Sequence, residues 1–231
     1  MNSNEKNEKD ASHFQTSGAL LQALKDWAGI PEQFPYGLGA LFLNFMLFQL
    51  ELVPRWLSVW GLVGGTLILA MGFLRMFGRP VYFLALPIIL NELALSIWLF
   101  VVGFNSSSKT SVIVGVLFIT ALASSMLNGY FIKSIDTPDY LTAASANENK
   151  VLVGVLFQIT LTVSVVAIPI IMFPILKEHY EVLALGYIGA RIFEGFFDVV
   201  IALSQLMLLS LSRTFMKTKT LTAKAEKNEI Q

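Results

Sequence analysis

Long apolar runs alternate with short polar breaks along most of this chain. Six runs approach the roughly 20 residues that a helix needs to cross a hydrocarbon layer about 30 Å thick. They cover approximately residues 34–53, 56–75, 81–104, 111–131, 151–176 and 182–211. The breaks are Pro54-Arg55, Arg75–Pro80, Asn105–Thr110, Lys133–Lys150 and Lys177–Glu181. Inside lipid each segment must satisfy its own backbone hydrogen bonds, which predicts helices. The runs do not alternate residue by residue, as barrel strands would. The pattern predicts an all-α integral membrane six-helix bundle made of two three-helix halves, 18–105 and 106–211.

Local signals refine this layout. Pro54 and Pro80 stand at helix starts, and Trp56 and Trp60 fall where an interfacial aromatic is expected. Asp136-Thr137-Pro138-Asp139 reads as an N-cap followed by proline at the first helical position, opening a short surface helix over 138–147. Residues 18–30 suit a short interfacial amphipathic helix. The polar, charged tails 1–17 and 212–231 are expected to be disordered. Gly61, Gly65 and Gly72 share a helical face that admits a neighbouring backbone. Packing inside the bundle is the first reading of that face, and a homodimer is the alternative.

Composition supports lipid as the solvent. The chain is 55% hydrophobic and 14% charged, with a mean hydropathy of +0.66, where soluble domains carry about a quarter charged residues. Formal net charge is zero, so nothing argues for nucleic acid as a partner. Cysteine is absent, which removes disulfides, thiolate metal sites and cysteine nucleophiles. The two histidines, His13 and His179, lie in polar segments. No metalloprotease, nucleophile-elbow or nucleotide-binding pattern occurs, so no catalytic residue, metal or cofactor is assigned. The first fifteen residues lack an apolar core and do not read as a cleavable signal peptide.

Six spans put both tails on one side. That side carries twelve basic residues, against Arg55, Lys109 and Lys177 on the other. The positive-inside rule then places the tails in the cytoplasm of a cell-membrane protein.

The last run is the unusual one. Tyr187, Arg191, Glu194, Asp198 and Gln205 fall within an arc of about 60° at 100° per residue. Their span along the axis is about 27 Å, close to the hydrocarbon thickness. Each charge at mid-membrane costs roughly 2.5–3.5 kcal/mol, so the stripe is expected to face the bundle interior. One arginine does not neutralise two acids. Either a second cation comes from elsewhere or a carboxyl holds a proton. Other runs offer partners: Asn44 in the first, Asn91 and Glu92 in the third, Thr120, Ser124 and Asn128 in the fourth, Gln158 and Thr162 in the fifth. Pro169 and Pro174 also free backbone carbonyls there.

Two readings of these residues compete. In one, Arg191, Glu194, Asp198, Glu92, Asn91, Tyr187, Gln205, Gln158 and Asn128 line a pocket or path for a proton, cation or small polar ligand, as in a small transporter or ligand-sensing protein. In the other, they are an internal clamp of a structural or regulatory membrane protein. A third reading, catalysis by Glu92 and Glu194 as acid and base, lacks an accompanying nucleophile or metal set.

Several long motifs carry a resemblance. LVPRWLSVWGLVGG (52–65), LALPIILNELALSIWLFVVGF (84–104), YLTAASANENKVLVGVLF (140–157) and LALGYIGARIFEGF (183–196) resemble a bacterial multi-pass membrane family, domain of unknown function 4386. The resemblance runs from Gly18 to about Ser212 and matches charged positions Arg55, Glu92, Glu148, Arg191 and Glu194. It implies six spans and a membrane location, and no activity, substrate or cofactor. It also implies a different order. In the family the segment similar to 109–118 comes first and the one similar to 98–104 comes last. Here Phe104–Lys109 joins those ends, as in a circular permutation. The family's usual order makes the loops at Arg55 and Lys177 look cytoplasmic, opposite to the count of basic residues.

Overall fold

In the computed structural model, the backbone is described for residues 3–104 and 108–229, and side chains for 12–104 and 109–224. Residues 105–107 of the expected Phe104–Lys109 junction lie outside the described residues. Those residues build an all-α protein: α1 (Ser3–Ala28), α2 (Gln33–Gln49), α3 (Arg55–Met76), α4 (Leu86–Val101, preceded by a 3₁₀ turn Tyr82–Ala85), α5 (Ser108–Phe131), α6 (Tyr140–Ala146) and α7 (Glu148–Glu229). Four stretches are long and apolar enough to cross a membrane: Arg55–Met76, Tyr82–Val101, Lys109–Asp136 and Glu148–Lys224. These long apolar helices mark a membrane-embedded protein.

The fourth stretch holds 77 residues, which would reach about 115 Å if straight, several times the bilayer core. It is not straight. Tyr180, at φ −138° and ψ 58°, leaves the helical region. The arms on either side, 148–179 and 181–229, fold back on each other. Gln158 reaches Asp198 across them at 2.7 Å, and a Cβ on Gly195 would stand 2.8 Å from Val166 Cγ2. These pairs are nearly symmetric about Tyr180, as an antiparallel helical hairpin requires.

The first apolar run is shorter than its composition suggests. It stops at Gln49 because Glu51 turns the chain at φ 52°, and Pro54 then opens α3. α2 packs between α3 and α7, α4 between α3 and α5, and α5 against α7. The glycine face of α3 is taken up by α2 of the same chain. Cβ atoms on Gly61 and Gly65 would stand 2.0 Å from Asn44 Oδ1 and 3.2 Å from the Gly37 carbonyl oxygen.

Two local expectations change. The N-cap of α6 is Asp139, after Pro138, and it makes no side-chain cap bond. Asp136 instead accepts a hydrogen bond from Lys25 of α1. The tails expected as disorder are helical within 3–17 and 212–229. Composition misses the reason, which is that the two tails pack together. Phe14 meets Phe215 edge-on at 5.7 Å, the Tyr140 hydroxyl donates to the Gln15 carbonyl at 3.0 Å, and Arg213 pairs with Glu148.

α1, α6 and the described end of α7 therefore gather at one end of the bundle, the tail side. The turns at 50–54 and at Tyr180 form the far side. Leu43, Met46, Leu47, Leu57, Leu95, Leu99, Met172 and Leu176 make a buried apolar core in the far half.

Candidate functional site

Arg191 sits in the second arm of α7, 2% exposed. Its Nη1 donates to both carboxylate oxygens of Glu194, at 3.0 and 2.9 Å. The i,i+3 spacing on one helix brings the two side chains together. Nη2 lies 3.7 Å from Glu92 Oε1 of α4. The guanidinium carbon stands 5.4 Å from the Tyr36 ring and 5.6 Å from the Tyr187 ring. Both distances suit cation–π attraction, which is stronger where water is excluded. Gly39 of α2 makes room, since a Cβ there would lie 3.2 Å from Arg191 Nε.

Asp198 is 1% exposed. It accepts a hydrogen bond from Gln158 Nε2 at 2.7 Å, and among the described residues no cation lies within ion-pair distance. A cleft of about 230 Å³ runs along this stripe. Its walls come from α2 (Tyr36), α3 (Ile68, Met71), α4 (Glu92), α5 (Phe118, Leu122) and both arms of α7 (Val165, Arg191, Glu194, Asp198). Four carboxyls, Glu32, Glu92, Glu194 and Asp198, line it, and Arg191 is the one basic side chain among its lining residues. Among the described residues no group of three or more His, Asp or Glu side chains is placed to hold a metal ion.

The stripe read from sequence divides in space. Arg191, Glu194, Asp198 and Glu92 meet at the cleft. Gln158 supports Asp198 from behind. Asn91 points to α3, donating to the Leu57 carbonyl at 2.8 Å. Asn128 and Gln205 form a separate link nearer the tails, at 3.3 Å, with Asn128 also donating to the Gly154 carbonyl at 2.8 Å. Tyr187 is fully buried under Arg191.

Tyr36, Gly39 and Glu32 were not anticipated. Their spacing, 32, 36 and 39, is a helical one, and that is the signal that could have found them. Glu32 is half-buried in the turn before α2. Burial first, then the negative charges of Asp198 and Glu194, push its carboxyl well above the ordinary carboxylate range, while Arg75 pulls the other way.

A family described as Domain of unknown function (DUF4386) matches residues 1–103 and 113–230. The chain belongs to this family. No curated protein and no solved structure matches it. The family description carries no activity, so the chemistry has to be argued from the cleft.

Proposed function

We propose that this is a multi-pass membrane protein of six spans whose central cleft is a transport or ligand-sensing site for a proton or cation. One observation carries the reading. A cleft walled by all six long apolar segments brings Arg191, Glu194, Asp198 and Glu92 together. Intramembrane ionisable groups that face a cavity are the usual mark of a substrate or ion path. Four carboxyls against one guanidinium leave negative charge that protons or a bound cation must offset. Glu194 is the exchanging carboxyl in this scheme, Arg191 its counter-ion, and Glu92 the partner from α4.

The six-span count takes α2 and the two arms of α7 as passes. The basic excess on the tail side supports cytoplasmic tails. The permuted order is supported by the two-part family match, whose break at 104–112 coincides with the Phe104–Lys109 join. Packing of α1 on the end of α7 supports it too, because the old connection would cross there. Because the chain has no cysteine, single-cysteine labelling at Thr218 and at Val182 reads orientation without background.

Glu194→Gln tests the site. The variant should express and stay monodisperse, and proteoliposomes carrying it should lose cation- or proton-driven pH signals that the parent chain gives. The competing reading is an internal clamp, favoured by the Gln158–Asp198 link between the arms. A Glu194→Gln protein that unfolds readily, beside a parent chain that gives no signal, selects the clamp.

A further inference from the structure

The cleft has a side opening. α4 and α5 touch closely in the far half, where a Cβ on Gly115 would stand 2.9 Å from the Ser96 carbonyl oxygen. One to three turns nearer the tails the same two faces carry Ile89 and Glu92 on α4, Leu122 and Ser125 on α5. There they line the cleft instead of each other. Ile89 is 41% exposed and Ser125 is exposed as well. Exposed residues of both helices thus line the cleft on the tail side, where it reaches the outer surface between them.

Depth and chemistry agree on what fits this gap. Ser125 lies six residues before the end of α5 at Phe131, about 9 Å along the axis, at the level of the acyl chains, where an amphiphile's tail rather than its headgroup sits. The lips are mainly apolar, Ile89 and Leu122 with Ser125 beside them, and the floor is acidic. Arg191 is buried and lines the floor. Its Nη groups already face Glu194 and Glu92. Among the described residues Asp198 has no cation within ion-pair distance, and Glu32 has Arg75 nearby. The volume, about 230 Å³, falls below the roughly 300–1,000 Å³ of pockets that enclose a drug-sized ligand. A headgroup and a few methylenes fit inside, and a longer chain must stay in the gap.

We propose that an amphiphile with a protonated amine headgroup enters sideways from the tail-side leaflet between α4 and α5 and places its amine against Asp198. This rests on the reading of the cleft as a cation site and names its substrate class.

The test uses Ser125→Cys in the full chain, reconstituted in phosphatidylcholine vesicles and labelled with a membrane-permeable maleimide. Dodecylamine should slow labelling at least tenfold. Butylamine and dodecyl phosphate at equal concentration should not. Met126→Cys, whose parent residue is 76% exposed one position on, should label at its own rate throughout. Adding Asp198→Asn or Ile89→Trp to Ser125→Cys should raise the half-protecting dodecylamine concentration at least tenfold. The second variant serves where the first does not fold. Protection by butylamine as strong as by dodecylamine overturns sideways entry and leaves the cation site standing. Protection by dodecyl phosphate, protection at Met126→Cys, or indifference to both added substitutions overturns the amphiphile site itself. Absence of protection by either amine, with Glu194→Gln affecting stability alone, overturns the cation site as well.

Discussion

On the far side of Tyr187 the last helical arm meets Leu43, Leu47, Met172 and their neighbours in a dry core. On the tail side of Tyr187 the same arm carries Arg191, Glu194 and Asp198 into a cleft. The two halves of one bundle therefore hold together by different means. Lipid tails are as apolar as leucine, so burial from water does not drive the far half together. Close packing through small residues does, as at Gly115 against Ser96. The tail half keeps such contacts, as at Gly195 against Val166, and adds polar links around the cleft: Gln158 to Asp198 and Asn128 to Gln205. A bundle built only to persist would repeat the far-half solution throughout.

The largest effect that sharpens this contrast is expected at the cation. Arg191→Met leaves Glu194 and Glu92 buried with no counter-charge. Breaking a buried pair from one side costs about 3–5 kcal/mol, read by denaturation of the purified protein in detergent micelles. Adding Glu194→Leu to it should recover much of the loss, because the orphaned charge goes too. A loss that stays the same in the double variant breaks the idea that charge, not shape, holds this half.

In the far half the matching probe is Leu47→Ala, at a fully buried position. A cost of about 2–3 kcal/mol is expected from the cavity left behind, with dodecylamine protection of Ser125→Cys unchanged. Loss of protection there would mean that the two halves are not separable. Gly115→Ala comes next, at about 1–3 kcal/mol. Its Cβ meets the backbone of α4 rather than a side chain able to swing aside. Smaller still is the coupling between Gln158 and Asp198, about 0.6 kcal/mol by a double-mutant cycle, the average for polar links between membrane helices.

What the sequence disclosed follows the same division. Helical periodicity placed Arg191, Glu194 and Asp198 on one face, because that fact is local to a single helix. Their inward orientation followed from the cost of charge in lipid. Which residues of other helices arrive opposite them depends on rotation and register between helices, and these are not local. Asn91 and Glu92 are neighbours in sequence and lie about 100° apart on α4. One faces α3 and the other the cleft, and nothing within the run decides which. Tyr36 and Glu32 were passed over because they stand at the start of an apolar run, where polar residues attract no notice. The tails misled for a related reason. Their composition is that of a solvated chain, and their order comes from Tyr140 and from each other.

The smallest expected effect is set by pH and belongs to Glu32, at the cleft mouth. Its carboxyl is held well above the ordinary carboxylate range by burial and by Asp198 and Glu194, against the pull of Arg75. A group whose folded value is raised favours folding while protonated. That contribution is fully present below the ordinary glutamate value and is lost as pH rises through the raised one. Glu32→Gln keeps the shape and removes the titration. Below the ordinary glutamate value the two proteins should melt together, and the variant should become the more stable of the two as pH rises above it. Melting curves collected across that range decide the matter. A difference that does not change with pH would place Glu32 out of reach of the acidic floor. The cleft would then end short of the turn before α2, and the sideways gap between α4 and α5 would be its way in.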